Sequence, residues 1–295
     1  MNRKNRHIKN LSDPEDLSVL FFSRADIHWE KSKDEIWRDL SVRLKEENQN
    51  QNEVRRINPG MRWLAIAASL VLLLTVTGFM RFYQKETSCP PGQHVSLVLP
   101  DGSSVELNAQ TSVRYHPLWW VISREVYLEG EAFFDVKKGK QFRVVSSLAA
   151  TDVLGTTFNI YARDLNYRVT CLSGRVRVTS TRTNEEITLS PNERGDLDQS
   201  GVFNIVSVSR ELSTPGWMNN LIMFASTPLR LVFDEIERQY GIVIVSPSEM
   251  DQVYSGNFSL SEPVDKVLYL LCRPFDLKYE QYTGKKYIVY PARME

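Results

Sequence analysis

The sequence predicts a single-pass membrane protein: a short α-helical cytoplasmic segment, one transmembrane helix, an all-β domain outside, and a small α+β domain of βαβ type at the end. Three observations predict it. The run "MRWLAIAASLVLLLTVTGFM" at 61–80 carries no charge from Trp63 onward. After His94 the chain alternates apolar and polar residues in short runs closed by turn residues, as half-buried strands do. Past Trp217 apolar residues return at helical spacing between the strands.

At about 1.5 Å per residue, positions 63–80 reach roughly 27 Å as a helix, close to the hydrocarbon thickness of a bilayer. Arg62 and Arg81 bracket the run, and Trp63, Phe82 and Tyr83 stand where interfacial aromatics lie. Residues 61–81 are the expected span. A cleaved leader begins near an N-terminus, so this run is expected to be retained. "TSC" at 87–89 lacks the apolar and small residues of a lipoprotein cleavage box. Arg43, Lys45, Arg55, Arg56 and Arg62 precede the span, and only Arg81 and Lys85 follow before Arg114. By the positive-inside rule the N-terminus is cytoplasmic and the C-terminal part lies outside, in the periplasm with the chain anchored in the inner membrane if the cell has two membranes.

Residues 1–60 hold two amphipathic patterns. Ser12 and Glu15 have capping-box spacing, and Leu17, Leu20 and Phe21 then share a helical face. Ile36, Trp37, Leu40 and Leu44 form a second stripe. Helices this short bury little alone, so the stripes need a partner. "KEENQNQNEVRRINPG" at 45–60 is a polar tether.

Residues 82–92 read as a linker and 93–208 as the β domain. "HVSLVLPDGSSVELN" is a hairpin turning at Asp101 and Gly102. "REVYLEGEAFFDV" alternates over an unusual length, with Val126, Leu128, Gly130, Ala132, Phe134 and Val136 on one side and Glu129, Glu131 and Asp135 on a face expected to be solvated. The apolar phase slips near Ser173 and Gly174, which implies a bulge or corner. Two packed sheets and a short solenoid both fit. After a linker at 209–219, residues 220–295 give a helix capped by Thr227, with Pro228 at its first position, Leu229, Val232, Phe233, Ile236 and Tyr240 on one face and Gly241 at its end. A buried strand "GIVIVSP" follows, then a second helix through Val264, Val267, Leu268 and Leu271 and a hairpin turning at Thr283 and Gly284, two helices on one small sheet.

Chemistry-bearing patterns are sparse. Lys plus Arg number 36 and Asp plus Glu 36, so no charge excess points to direct nucleic-acid binding. His7, His28, His94 and His116 are dispersed, with no i, i+4 pair for a metal. Cys89, Cys171 and Cys272 are too few for a disulfide framework, and the last two sit in apolar patterns as small hydrophobes. No phosphate-binding or nucleophile motif occurs. No cofactor, metal or catalytic residue is expected, and the chain is not expected to be an enzyme.

"LPDGSSVELNAQTSVRY", "REVYLEGEAFFDV", "FRV", "VLGTTFNIYA", "LSGRVRV" and "LSPNERG" resemble, in order, the FecR family of transmembrane anti-sigma factors. "MFASTPLRLVFDEIERQYGIVI", "GNFSL" and "VDKVLYLL" resemble the family's extra C-terminal domain, which is similar to the short signalling domain of secretins and TonB-dependent receptors. The resemblance implies a cytoplasmic segment that holds an extracytoplasmic-function sigma factor, and a periplasmic part that receives a signal from an outer-membrane TonB-dependent transporter. By that carry-over Leu17, Leu20, Phe21, Trp29, Ile36, Trp37, Leu40 and Leu44 are the sigma-binding surface. Gly130, Gly155 and Gly174, and Phe133, Phe134 and Phe158, are expected to serve turns and core rather than ligands. A single span has no neighbour against which to hold two positions, and Thr75, Val76, Thr77 and Gly78 lower helix propensity at its outer end. Signalling by stepwise proteolysis, with an intramembrane protease as a further partner, is the expected route. The competing reading is a membrane-tethered glycan- or envelope-binding module gripping its ligand with exposed aromatics such as Trp119 and Trp120.

Overall fold

The structure, a computed structural model, describes residues 30–51, 59–209, 213–247 and 250–292. It divides into two units, residues 1–70 and 71–295. In the first, helix α1 (Lys33–Gln51) starts at a capping box that the sequence spells as "SKDE". The Glu35 amide donates to Ser32 Oγ at 3.4 Å, and the Ser32 amide donates to Glu35 Oε2 at 3.1 Å. Ser12 and Glu15, the pair expected to cap, lie outside the described residues. Helix α2 (Pro59–Phe82) contains 23 residues, Gly60–Phe82, long and apolar enough to cross a membrane, and none of that stretch is buried. Two of its hydroxyls are satisfied internally: Ser69 Oγ donates to the Ile66 carbonyl and Thr75 Oγ1 to the Leu72 carbonyl, both at 2.8 Å. A buried core helix would be covered; this one is bare.

The β domain is organised by one long strand, β5 (Arg124–Asp135). Before it come β1 (Lys85–Cys89), β2 (Val95–Val98), β3 (Ser104–Leu107) and β4 (Thr111–Tyr115). After it come β6 (Phe142–Val145), β7 (Ala149–Val153), β8 (Thr157–Arg163), β9 (Asn166–Ser173), β10 (Val176–Ser180), β11 (Glu186–Leu189), β12 (Glu193–Leu197) and β13 (Phe203–Ser207). The first half of β5 pairs with β4 and, in parallel, with β6; its second half pairs with β3 and β8. One run of strands is therefore β1-β4-β5-β6-β7-β10-β11 and the other β2-β3-β5-β8-β9-β12-β13, joined through β5. Both contribute to one core, in which Phe134 stacks on Phe158 at 5.0 Å and meets Phe142 edge-on at 6.3 Å.

Gly130 marks the point where β5 passes from one run to the other. Its φ is +116°, and a Cβ there would stand 2.6 Å from Thr111 Oγ1. Gly174, with φ +76°, makes the corner between β9 and β10 that the slip in apolar phase implies. Val126, Leu128, Ala132, Phe134 and Val136 are buried as the alternation requires.

The C-terminal part contains β14 (Leu221–Pro228), α3 (Leu229–Tyr240), β15 (Val243–Val245), β16 (Val253–Ser259), α4 (Val264–Cys272), β17 (Leu277–Thr283) and β18 (Lys286–Pro291). Leu229, Val232, Phe233 and Ile236 of α3 and Val267, Leu268 and Leu271 of α4 share one core with Ile222, Phe258 and Tyr287. Gly241 ends α3 at φ +63°, its amide donating to the Glu237 carbonyl.

Several expectations are corrected. Residues 82–92 are not a free linker: β1 lies within them, a polar strand recruited by register with β4, Lys85 opposite Tyr115 and Cys89 opposite Thr111. The C-terminal strands form two small sheets, β14-β16 and β15-β18-β17, rather than one. The residue capping α3 is Pro228, not Thr227, because β14 runs on to pair Pro228 with Val253. β15 is only half-buried, with Val243 and Val245 exposed at the sheet's edge. All three cysteines are free and buried, and burial pushes the Cys171 and Cys272 thiols up to about 11.

Substituting Gly130→Ala adds both backbone strain and overlap, so it is expected to cost about 2–5 kcal/mol. Gly102→Ala, at φ +79° with no atom near the new Cβ, carries strain alone and is expected to cost about 1 kcal/mol. Denaturant melts of the two variants check this; equal losses would contradict the close packing of β5 on β4.

Candidate functional site

Two surfaces carry the chain's unusual polar and apolar placements. The first is α1. Residues 36, 40 and 44 recur every four positions and fall on one face with 37, and the structure leaves them in solvent: Ile36 is 40% exposed, Trp37 71%, Leu40 44% and Leu44 52%. Among the described residues nothing covers this stripe. Lys31 pairs with Asp39 at 3.0 Å on the helix flank, where both side chains are solvated. The helix is thus held by its cap and its own ladder while it presents a row of large apolar side chains. Of the other expected site residues, Leu17, Leu20, Phe21 and Trp29 lie outside the described residues.

The second surface is the junction between the β domain and α3. The turn after β1 brings the Gly92 amide to the Arg238 carbonyl at 2.7 Å. Close approach is possible because Gly241 faces it: a Cβ on Gly241 would stand 3.2 Å from the Pro91 carbonyl oxygen. His94 Nε2 donates to Gln239 Oε1 at 3.1 Å, and Gln239 Nε2 donates to Asn108 Oδ1 and to Glu235 Oε1, both at 2.8 Å. Asn108 Nδ2 in turn donates to Glu131 Oε2 at 2.8 Å, and Asn159 Nδ2 to Glu131 Oε1 at 2.9 Å.

Glu131 therefore does not lie on a solvated strand face. Glu129, on the same side of β5, is exposed as expected, but at Glu131 that side is covered, and the carboxyl is buried inside a relay of amides that crosses between the two domains. Burial, reinforced by the nearby Glu235 carboxylate, raises its pKa above the ordinary glutamate range, against the amide hydrogen bonds and Arg163 that favour the charge. Sequence reasoning missed this group because strand alternation assigns faces relative to one sheet, and the covering element lies more than a hundred residues away. Gln239 left a weak trace: it stands three positions after Ile236, on the buried side of α3.

Beside the junction a groove of about 440 Å³ runs between β8, β9 and β12 on one side and β14 and α3 on the other, lined by Tyr161, Arg168, Arg194, Trp217, Phe224 and Glu235 among others. Trp119 and Trp120 do not line it. Trp120 is buried against Tyr115 at 5.6 Å and Phe142 at 5.9 Å, and Trp119 is half-buried, so the pair forms no exposed aromatic row. Among the described residues no group of three metal-ligating side chains converges.

Comparison with known proteins adds to this geometry. A family model described as FecR protein matches residues 86–177, and one described as FecR, C-terminal matches residues 221–289. Two crystal structures of candidate anti-sigma factors from Parabacteroides distasonis ATCC 8503 are similar in fold. The structure at 2.50 Å resolution has TM-score 0.64 and 28% identity, covering 71% of this chain and 99% of its own. The structure at 1.65 Å has TM-score 0.63 and 28% identity, covering 70% and 99%. No curated protein matches the chain.

The buried carboxyl gives a pH test. Its folded pKa lies above the unfolded value, so its contribution to stability is fully present below the unfolded pKa and is lost as pH rises toward the folded one. Glu131→Gln removes that dependence, and the unpartnered Asn159 Oδ1 offers the new amide an acceptor if the Asn159 amide rotates. The variant is expected to melt higher than the parent at about pH 8 and to lose that advantage near pH 4. A difference in Tm that does not change with pH would contradict the burial of an ionisable group here.

Proposed function

The chain belongs to the FecR family, and from that membership we propose that it is an anti-sigma regulator whose N-terminal segment holds an extracytoplasmic-function sigma factor at the inner membrane. Its function is regulatory rather than catalytic. The observation that carries the reading is the bare stripe on α1. An amphipathic helix with anchors at Ile36, Leu40 and Leu44 fits the helix-in-groove mode of recognition, and Trp37 is the residue type that dominates such contacts. Fully burying each of these side chains is worth about 1.5–3 kcal/mol, a driving force that water leaves unused until a partner arrives.

Helix α2 supports a single span, and the cations before it support a cytoplasmic N-terminus. In this arrangement the β domain and the C-terminal domain face the periplasm. There they receive the signalling domain of a TonB-dependent outer-membrane transporter at an exposed strand edge. β15, with its backbone at the edge and Val243 and Val245 exposed, fits strand addition. The message then crosses by proteolysis. β1 is paired on one side only, by β4, and it directly follows α2, so its withdrawal supplies an extended protease substrate beside the span. The weak helical propensity of Thr75, Val76, Thr77 and Gly78 favours a second cut within the membrane. Cleavage frees the N-terminal segment together with its sigma factor. Full-length protein that stays intact while target genes rise would contradict the proteolytic step.

The sigma contact is tested by binding. Trp37→Ala in the full chain is expected to weaken affinity for the sigma factor by about 30-fold or more, roughly 2 kcal/mol. Val42→Ala, on the opposite side of α1, is expected to leave it unchanged. Equal affinities for the parent and Trp37→Ala would remove α1 from the contact.

A further inference from the structure

The loop between β4 and β5 is apolar where connecting loops are usually polar. Its sequence is "HPLWWVIS", and it leaves Val121 83% exposed, Ile122 66% and Leu118 43%, beside the half-buried Trp119. These side chains are not loose. Trp120 is buried on Tyr115 and Phe142 and pins the loop to the core. The backbone closes on itself: the Trp119 amide donates to the His116 carbonyl at 3.2 Å, and the Ile122 and Ser123 amides donate to the Trp119 carbonyl at 3.0 and 3.1 Å. Pairing these three amides lowers the cost of placing that part of the loop in a medium poor in water.

Its position is fixed by the end of α2. His116 Nδ1 donates to the Tyr83 carbonyl at 3.2 Å, and His116 Nε2 accepts from Gln84 Nε2 at 3.2 Å. Lys85 pairs with Tyr115, so the loop starts one hydrogen bond away from the first residues after the span. If α2 crosses the bilayer, His116 is held at the level of the lipid headgroups. Lys85 and Arg114, both exposed, supply cations at that level.

We propose that Leu118, Val121 and Ile122, with Trp119, insert into the outer leaflet of the membrane that α2 crosses, so that the β domain lies against the lipid surface instead of swinging on its two-residue passage. A covalent tether places this patch beside lipid permanently, at an effective concentration that no soluble partner matches. Branched aliphatics flanked by tryptophan are the side chains that partition into an interface. The inference rests on the spanning reading of α2 and goes beyond it.

The test uses the full chain reconstituted in phosphatidylcholine–phosphatidylglycerol vesicles, with an environment-sensitive fluorophore on Val121→Cys or, separately, on Leu74→Cys within the span. Nitroxide lipids quench by depth. The label at 121 is expected to lose most of its emission to lipid carrying the nitroxide near the headgroup, and the label at 74 to lipid carrying it near the chain end. Quenching at 74 without quenching at 121 would overturn the inference and leave the span intact. Quenching at neither site would overturn the span, and the inference with it. Emission at 121 that depends on protein density and not on nitroxide lipid would assign the patch to a second copy of the chain, and would overturn the inference as well.

Discussion

Two residues, Tyr83 and Gln84, separate a helix long enough to cross a bilayer from a strand paired to β4 along its length. The arrangement of everything after them depends on that short passage. A flexible linker would let the folded part drift; here the chain leaves α2 and enters the β domain almost at once. β1 then delivers the chain, through Pro90, Pro91 and Gly92, to the surface that receives the C-terminus of α3. One short strand therefore touches the span at one end and the C-terminal domain near the other. In the proposed function, a force applied to the C-terminal domain reaches the membrane through that strand, and the bond that yields is the edge pairing of β1 with β4.

The junction holds the β domain and the C-terminal domain together through buried polar contacts. An interface held only by surface charges would be weak and easily screened. This one joins a buried carboxyl and three buried amide side chains in consecutive hydrogen bonds, Asn159 to Glu131 to Asn108 to Gln239, with the exposed His94 imidazole at its outer end. Removing one partner from such a relay strands another in a place without water, so its members support one another. The raised pKa of Glu131 comes from its burial beside Glu235, which outweighs the amide donors and Arg163 that favour its charge.

Much of the fold was legible because local physics decided it. The uncharged run became α2, the long alternation became β5, the phase slip became the corner at Gly174, and Gly241 and Gly284 mark ends and turns where a left-handed backbone is required. What the sequence hid depends on distant partners. β1 has no apolar alternation of its own and is a strand only because β4 offers its edge. Glu131 looked solvated because the element that covers it lies far along the chain, and β14 and β16 form a sheet apart from β15, β17 and β18 for reasons of packing that no local pattern expresses. The α1 stripe was readable from spacing, and the structure adds that its four members at 36, 37, 40 and 44 remain exposed.

The account stands on α2 dividing the α1 stripe from the folded domains across a membrane. Paired fusions test this most directly, with alkaline phosphatase, which is active only outside the cytoplasm, or green fluorescent protein, which glows only within it, joined after Glu295. The account predicts an active phosphatase and a dark fluorescent fusion. A glowing fusion with inactive phosphatase would place the β and C-terminal domains on the same side as α1, and would contradict it.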